Sequence, residues 1–252
     1  MTHRIQNLLT VGLVLCILVP SLAFYGTAAS MPFTTALFPF WYEDFDQPLD
    51  PLNYYMEGSV GSAVVDDGSF LLTENWSYQY GRIFFLQKTY MSGFDAEFDL
   101  YLGEDNGSDG LAFHFCPVYD YPHSDGGSLN ANCPNGYFIA FDTHNDVTPP
   151  YNNEIYLAKG SVENRLILVE IIPAMDNDTW RHCRVSLADG AVTVTLDTNN
   201  VIDAFKIPGY APLGGYFGFS AATGGGSNHQ RVDNIEISAP RLFQVFLPVM
   251  RK

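Results

Sequence analysis

Cationic side chains are scarce in this chain: 12 Lys and Arg stand against 28 Asp and Glu, for a formal net charge of −16. Nucleic acid and anionic lipid both recruit partners through cationic surface, so neither is expected to bind here. Charge of either sign is thin as well, at 16% of 252 residues against about 25% in an average domain. Aromatic side chains fill the gap, with 19 Phe, 15 Tyr and 3 Trp, too much apolar surface for a disordered chain. No long amphipathic helical run occurs, and 22 unperiodic Gly with 15 Pro exclude a helical bundle, a coiled coil or a collagen-like fibre. No repeat, low-complexity tract or Pro/Ser linker divides the sequence, so one domain is expected. His-Glu-x-x-His, Gly-x-Ser-x-Gly and phosphate-cradling glycine loops are all missing, which removes the main signatures of zinc proteases, serine hydrolases and nucleotide enzymes.

Cysteine is sparse too, four in all, and the first segment says which of them matter. Residues 1–29 carry Arg4, an apolar run from Leu8 to Phe24 and the small residues Ala28 and Ala29, followed by Ser30. That is the anatomy of a secretory signal peptide, so the mature chain is expected to be secreted or held at the cell surface. An uncleaved anchor is the alternative; the shortness of the run and Pro20 count against it. Export leaves Cys116, Cys133 and Cys183, and in an oxidising compartment Cys116 with Cys133 is the natural disulfide. Cys183 alternates with Arg184 and shares parity with Val185 and Leu187, which makes it a buried, inert thiol. A zinc site drawn from His114, Cys116, His123 and Cys133 matches no recognised ligand spacing.

The body of the chain, 30–238, reads as short strands between turns such as DDG, ADG and GGG. Eleven segments qualify, from GSFLLTE at 68–74 to QRVDNIEIS at 230–238. In FDAEFDLYL, Phe94, Ala96, Phe98 and Leu100 take one face and Asp95, Glu97, Asp99 and Tyr101 the other. LAFHFC and RLILVEII are apolar on nearly both faces, which predicts positions in the middle of a sheet. A dozen such strands imply an all-β jelly-roll sandwich of two large antiparallel sheets. The tail, 239–252, holds an apolar stretch flanked by basic residues, too short to span a bilayer.

Three segments, in this order, resemble the L-type (legume-like) lectins of the concanavalin A-like lectin and glucanase superfamily. SDGLAFHFCP at 108–117 is similar to the family's Asp-Gly-Leu-Ala-Phe strand entry. GYFIAFDTHND at 136–146 is similar to its strand ending in Phe-Asp-Thr. FGFSAATGGG at 217–226 is similar to its Gly-Phe-Ser-Ala-Ala-Thr-Gly-Gly loop. The resemblance spans roughly Asp44 to Ile237. It implies a glycan or polysaccharide partner and a sugar site built from loops at one edge of the concave sheet. Asp109 would accept hydrogen bonds from two adjacent sugar hydroxyls, behind a cis Ser108–Asp109 peptide. Gly126 and Gly127 would bring backbone N–H groups close to the sugar, where a Cβ would obstruct. Gly224, Gly225 and Gly226 would form the loop that selects among sugars. His144 and Asp146 stand where the family carries an aromatic and an Asn, so His144 would stack on the sugar.

The same resemblance implies calcium as cofactor, held by Asp142 and Asp146, with Asn145 one place early. Further ligands stay open among Asn152, Asn153, Asp176 and Asp178. Where legume members carry a Glu for a transition metal, this chain has Ala140, so no transition metal is expected. Pairing of sandwiches, as legume members do for avidity, is left open by the sequence.

Other readings set limits on this one. Glycoside hydrolases share the sandwich, and Glu97 with Asp99 shares a strand face, but the carboxyl that should follow is Tyr101 or Leu102. The pair is more simply a solvated face, and no catalytic residue is assigned. A structural or adhesive module without sugar affinity is the third reading, supported by the departures at 144 and 146. His114 is read as a satisfied core histidine, and Trp41, Trp76 and Trp180 as packing residues. Asn75, Asn106 and Asn177 head glycosylation sequons.

Overall fold

The computed structural model describes residues 37–103, 108–144, 153–171 and 175–239. All belong to one compact unit, Thr35–Lys252. Residues 1–29, expected to be a signal peptide, and all of the tail but Ala239 lie outside them. Among the described residues no helix is long and apolar enough to cross a membrane.

Sixteen strands are described. They are β1 (Phe38–Glu43), β2 (Tyr54–Gly58), β3 (Val64–Asp66), β4 (Ser69–Thr73), β5 (Tyr80–Phe85), β6 (Thr89–Tyr90), β7 (Phe94–Leu102) and β8 (Gly110–Cys116), then β9 (Cys133–Asp142), β10 (Asn153–Gly160), β11 (Arg165–Ile171), β12 (Thr179–Ala188), β13 (Ala191–Leu196), β14 (Asn199–Lys206), β15 (Gly214–Ala222) and β16 (Gln230–Ala239). They form two antiparallel eight-stranded sheets. One runs β14-β13-β12-β7-β16-β4-β3, with β1 added to β16; the other runs β11-β10-β9-β8-β15-β5-β2, with β6 added to β15. This is the expected jelly-roll sandwich, and all eleven segments read as strands are strands. The five others lack the sequence signal: β1 contains Pro39, β6 is two residues long, and β14 is polar and largely exposed.

The alternation of β7 is realised residue by residue: Phe94, Ala96, Phe98, Leu100 and Leu102 are buried, while the residues between them are half-exposed. They meet Phe113, Phe115 and Phe141 of the opposite sheet together with Phe217 and Phe219. Phe98 meets Phe219 edge-to-face at 4.8 Å, and Phe94 meets Phe217 likewise at 5.0 Å. Such pairs add about 0.5–1.5 kcal/mol each beyond the area they bury. Cys183 lies in this core, and burial holds its thiol well above its ordinary value, so it is inert as expected.

The strand LAFHFC lies mid-sheet in β8, every residue buried. RLILVEII does not: β11 is the outermost strand of its sheet. Ile167, Val169 and Ile171 pack inward against the core from that edge, while Leu168 faces outward and is 38% exposed. Apolar residues on both faces there cover an edge rather than fill an interior.

A second, smaller core sits on the outer face of the β8-containing sheet. Segment 117–132 lies across that face, with Tyr121, Leu129 and Ala131 packed on Phe84, Ala112, Phe138, Ala140 and Tyr156. The Cys116–Cys133 disulfide closes the segment at its base, Cα–Cα 5.8 Å, and removes both thiols from any metal site. Closing 17 residues restricts the unfolded chain by about 3 kcal/mol. Replacing both cysteines with Ser is expected to lower denaturant-measured stability by that amount; a loss under about 1 kcal/mol would contradict it.

His114 lies beneath this segment, fully buried. The Ser220 hydroxyl donates to the Leu129 carbonyl at 2.8 Å, so the 2.7 Å contact from His114 Nε2 to Ser220 Oγ requires the imidazole to donate from Nε2. Burial, then the Arg82 charge, pushes its pKa down to about 3. Unfolded histidine protonates near 6.5, so between about pH 6.5 and 3 the unfolded chain takes a proton that the folded chain refuses. The stabilisation is complete above about pH 6.5 and declines by about 1.4 kcal/mol per pH unit below it. Urea unfolding at pH 7 and 4.5 should show about 2–3 kcal/mol more loss in the wild type than in His114→Gln; equal losses would contradict this.

Candidate functional site

The residues singled out in the sequence come together where the β8 sheet ends. Asp109 enters β8 through a cis Ser108–Asp109 peptide, as the resemblance implied. Neighbours hold that peptide on several sides. The Asp109 N–H donates to Ala222 O at 3.0 Å, and Asp109 O accepts the Thr143 N–H at 3.0 Å. Gln230 Nε2 donates to Ser108 O at 3.0 Å and to Ala222 O at 3.1 Å. Asp109 is only 4% exposed.

The carboxylate rests against glycine backbone. A Cβ on Gly224 would lie 2.8 Å from Asp109 Oδ2 and 3.3 Å from Gly126 Cα; one on Gly126 would lie 3.6 Å from the same oxygen. Glycine at 224 is therefore what leaves the carboxylate its place. The glycine loops are tied together, the Gly126 N–H donating to Thr223 O at 3.1 Å and the Gly224 N–H to Ser108 Oγ at 3.3 Å. Those two N–H groups are thus used within the protein, contrary to the expectation that Gly126 offers its own to a ligand. Gly127 is exposed, with nothing within 4 Å of an added Cβ. Gly225 is exposed and Gly226 half-buried on the same bend.

Asp142 ends β9 on the same rim, paired in register with Gly110. Its Oδ1 accepts the N–H of His144 at 3.0 Å, and His144 is exposed beside it. Asp142 is 5% exposed. Burial pushes its carboxyl up to about 7; the charges of Glu154 and Asp109 add to that, and Arg165 opposes it. The Arg165 guanidinium lies 3.6 Å from Asp142 Oδ2, bonds Glu154 at 2.7 Å and covers the Tyr156 ring at 4.2 Å.

Asn145, Asp146 and Asn152 lie outside the described residues. Among the described residues no group of three or more His, Cys, Asp or Glu is arranged to hold a metal ion. Asn153 Oδ1 accepts the N–H groups of Met175 and Asp176, and Asp178 accepts the Tyr101 hydroxyl at 2.7 Å. A buried carboxylate fits a calcium ligand by its chemistry; of the ligands the resemblance implied, only Asp142 falls within the described residues.

A fourth loop, 74–79, belongs to this rim, and sequence reading missed it. Trp76 was expected to pack, yet it is 65% exposed, and Tyr78 is 68% exposed. Trp180 is likewise 42% exposed, lining a shallow pocket with Tyr101, His229 and Arg231. Only Trp41 is a packing residue, stacked on Phe85 at 5.3 Å. The signal that could have found it is the Asn75-Trp76-Ser77 sequon, which favours a surface loop but says nothing of its neighbour.

Glu97 and Asp99 stand apart from the rim, on the outward face of β7. Asp99 accepts from Asn234 at 2.8 Å and lies 2.9 Å from His182 Nδ1, and Glu97 lies 3.5 Å from Arg184. They are members of a surface ion-pair array.

No family model and no curated protein sequence matches the chain. Solved structures do. The VIP36 exoplasmic/lumenal domain in its metal-free form superposes with a TM-score of 0.63 at 18% identity, over 80% of this chain and 91% of that one. A lectin from Bauhinia forficata in complex with GalNAc gives 0.66 at 17% identity, over 81% and 98%. The VIP36 domain bound to Ca2+ and mannose gives 0.61 at 18%, over 77% and 86%. The fold is that of the concanavalin A-like lectins.

Proposed function

We propose that this chain is a secreted or cell-surface carbohydrate-binding protein that performs no chemistry. The observation that carries the reading is the Asp109 carboxylate held against the bare backbone of Gly126 and Gly224. A carboxylate is an acceptor only, and two adjacent sugar hydroxyls are donors, so the bonds are charge-assisted. With the N–H groups of Gly126 and Gly224 already used, main-chain donors to the guest come from Gly127 and Gly225. His144 supplies a stacking face on one flank. The mannose and GalNAc complexes of similarly folded lectins support a sugar as the guest, and the engagement of Glu97 and Asp99 in surface pairs speaks against a hydrolase. A glycan array should show saturable binding to a subset of glycans; an empty array would contradict the reading.

Calcium is the finer part of the proposal. It would be held by Asp142 with oxygen donors from Asn145 and Asp146, and it would fix the loop that carries His144. A second reading, metal-free binding, is favoured by Arg165, which already sets a positive charge against Asp142. Chelation separates them. Calcium support predicts an affinity loss of about tenfold or more in EDTA, and about 2.7 kcal/mol of added stability at one hundred times the calcium Kd. Identical sugar titrations and melts with EDTA and with millimolar calcium would establish the metal-free reading.

A further inference from the structure

We infer that the loop 74–79 is a second subsite, an aromatic platform that makes the protein select oligosaccharides over the monosaccharide that fits at Asp109. The inference rests on the sugar-binding reading above and adds to it the size class of the ligand.

Two features of the loop do not ordinarily occur together. Its backbone is fixed. The Tyr78 N–H donates to Gly224 O at 3.0 Å, Ser77 Oγ donates to Gly225 O at 3.1 Å, and Thr223 Oγ1 donates to Trp76 O at 2.6 Å. Gln79 closes the set, its N–H reaching Thr223 Oγ1 at 2.8 Å and its carbonyl accepting the Thr223 N–H at 2.8 Å. Tyr78 is held in the left-handed region at φ 60°, where few residues other than glycine settle. On this frame Trp76 and Tyr78 are left about two-thirds exposed. These bonds fix where the backbone presents both side chains.

Position gives the platform its purpose. Gly224 is the glycine against the Asp109 carboxylate, and Gly225, the next residue along, would place a Cβ 3.9 Å from the Tyr78 hydroxyl. Neighbouring Cα atoms are 3.8 Å apart, so the Tyr78 hydroxyl stands one residue beyond the cradle of the first sugar, with Trp76 two residues before it in the same bonded loop. The aromatic pair lies on the side of the Gly224–Gly225 loop, whereas His144 stands just past the end of β9, its N–H on Asp142 Oδ1. A pyranose chain anchored by two hydroxyls at Asp109 would lay its next units over Trp76 and Tyr78, burying the apolar ring face of each. Rigid aromatics give large contact area with few torsions to freeze, and the loop has lost its backbone freedom before binding. Solvent-facing apolar groups set beside a polar cradle mark a recognition surface.

The test is a length series on the intact chain. Mannose, α-linked mannobiose and mannotriose, and in parallel galactose with its di- and trisaccharides, are titrated by calorimetry into the wild type, Trp76→Ala/Tyr78→Ala and Asp109→Ala. For the series the protein accepts, wild-type affinity should rise about tenfold or more from one unit to three. The double variant should bind the monosaccharide within twofold of wild type and lose the rise; both side chains are exposed, so melting should be unchanged. A flat wild-type series, or a rise that survives the double substitution, overturns the inference while leaving the Asp109 site standing. Absence of all binding, or monosaccharide binding that survives Asp109→Ala, sinks the underlying reading and the inference with it.

Discussion

Asp109→Ala is expected to lower sugar affinity by about a hundredfold or more without lowering the melting temperature. Two charge-assisted hydrogen bonds to sugar hydroxyls, each worth about 1.5–3 kcal/mol, are lost together, and 1.4 kcal/mol is a factor of ten. Like-charge repulsion on the rim offsets part of the cost in stability. Asp109 and Asp142 are two carboxylates on one buried rim, and the charge of Asp109 helps to push the Asp142 carboxyl upward. Removing one of them relieves that repulsion. The backbone bonds of residue 109, to Ala222 O and from the Thr143 N–H, do not depend on its side chain. Asp109→Asn separates shape from charge, and its affinity should fall almost as far. Binding within threefold of wild type, or a loss accompanied by unfolding, would contradict the assignment.

Gly224→Ala is expected to have the next largest effect, by a different route. Gly224 does not occupy the left-handed region, so an alanine backbone is permitted there. Its Cβ, however, would stand 2.8 Å from Asp109 Oδ2 and 3.3 Å from Gly126 Cα, closer than carbon and oxygen settle. The carboxylate is the softer of the two neighbours and would be turned from its place. Affinity should therefore drop about tenfold or more, while the melting temperature stays within a few degrees. Each is read by calorimetric titration beside a thermal melt. Wild-type affinity in this variant would mean that the glycine cradle does not hold the ligand.

The two layers of the fold were legible because burial writes a period of two into a strand. Phe94 to Leu102 alternates so regularly that its inward face could be named from the sequence, and the structure places it there. The same logic misplaced RLILVEII, since apolar residues on both faces arise in an edge strand that covers the core as well as in a central one. His114 was readable from its apolar neighbours, and the disulfide from the expected compartment and the count.

The rim was legible in part, through three motifs that resemble a family, and the structure does bring Asp109, Gly126, Gly224 and Asp142 together. Three further features lay beyond the reach of a single sequence. The hydrogen bond from Thr223 to the carbonyl of Trp76 spans 147 residues, and nothing local in Asn75-Trp76-Ser77 announces that contact. A tryptophan in an aromatic-rich chain reads as core, and only the fold exposes Trp76 and Trp180. The use of the Gly126 N–H by Thr223 O is equally silent in the sequence, because glycine advertises conformational freedom and says nothing of where its N–H points.

The account stands on a guest hydroxyl pair meeting Asp109 between two glycine loops. A 15N-labelled sample titrated with the best monosaccharide from the array tests this most directly, one backbone amide at a time. The expected result is a set of saturable shifts at Asp109, Gly126, Gly127, Gly224, Gly225 and His144, sharing one Kd and vanishing in Asp109→Ala. Shifts that cluster instead around Tyr101, Trp180 and Arg231, or that leave residues 109 and 224 unmoved at saturation, would place the sugar elsewhere and contradict it.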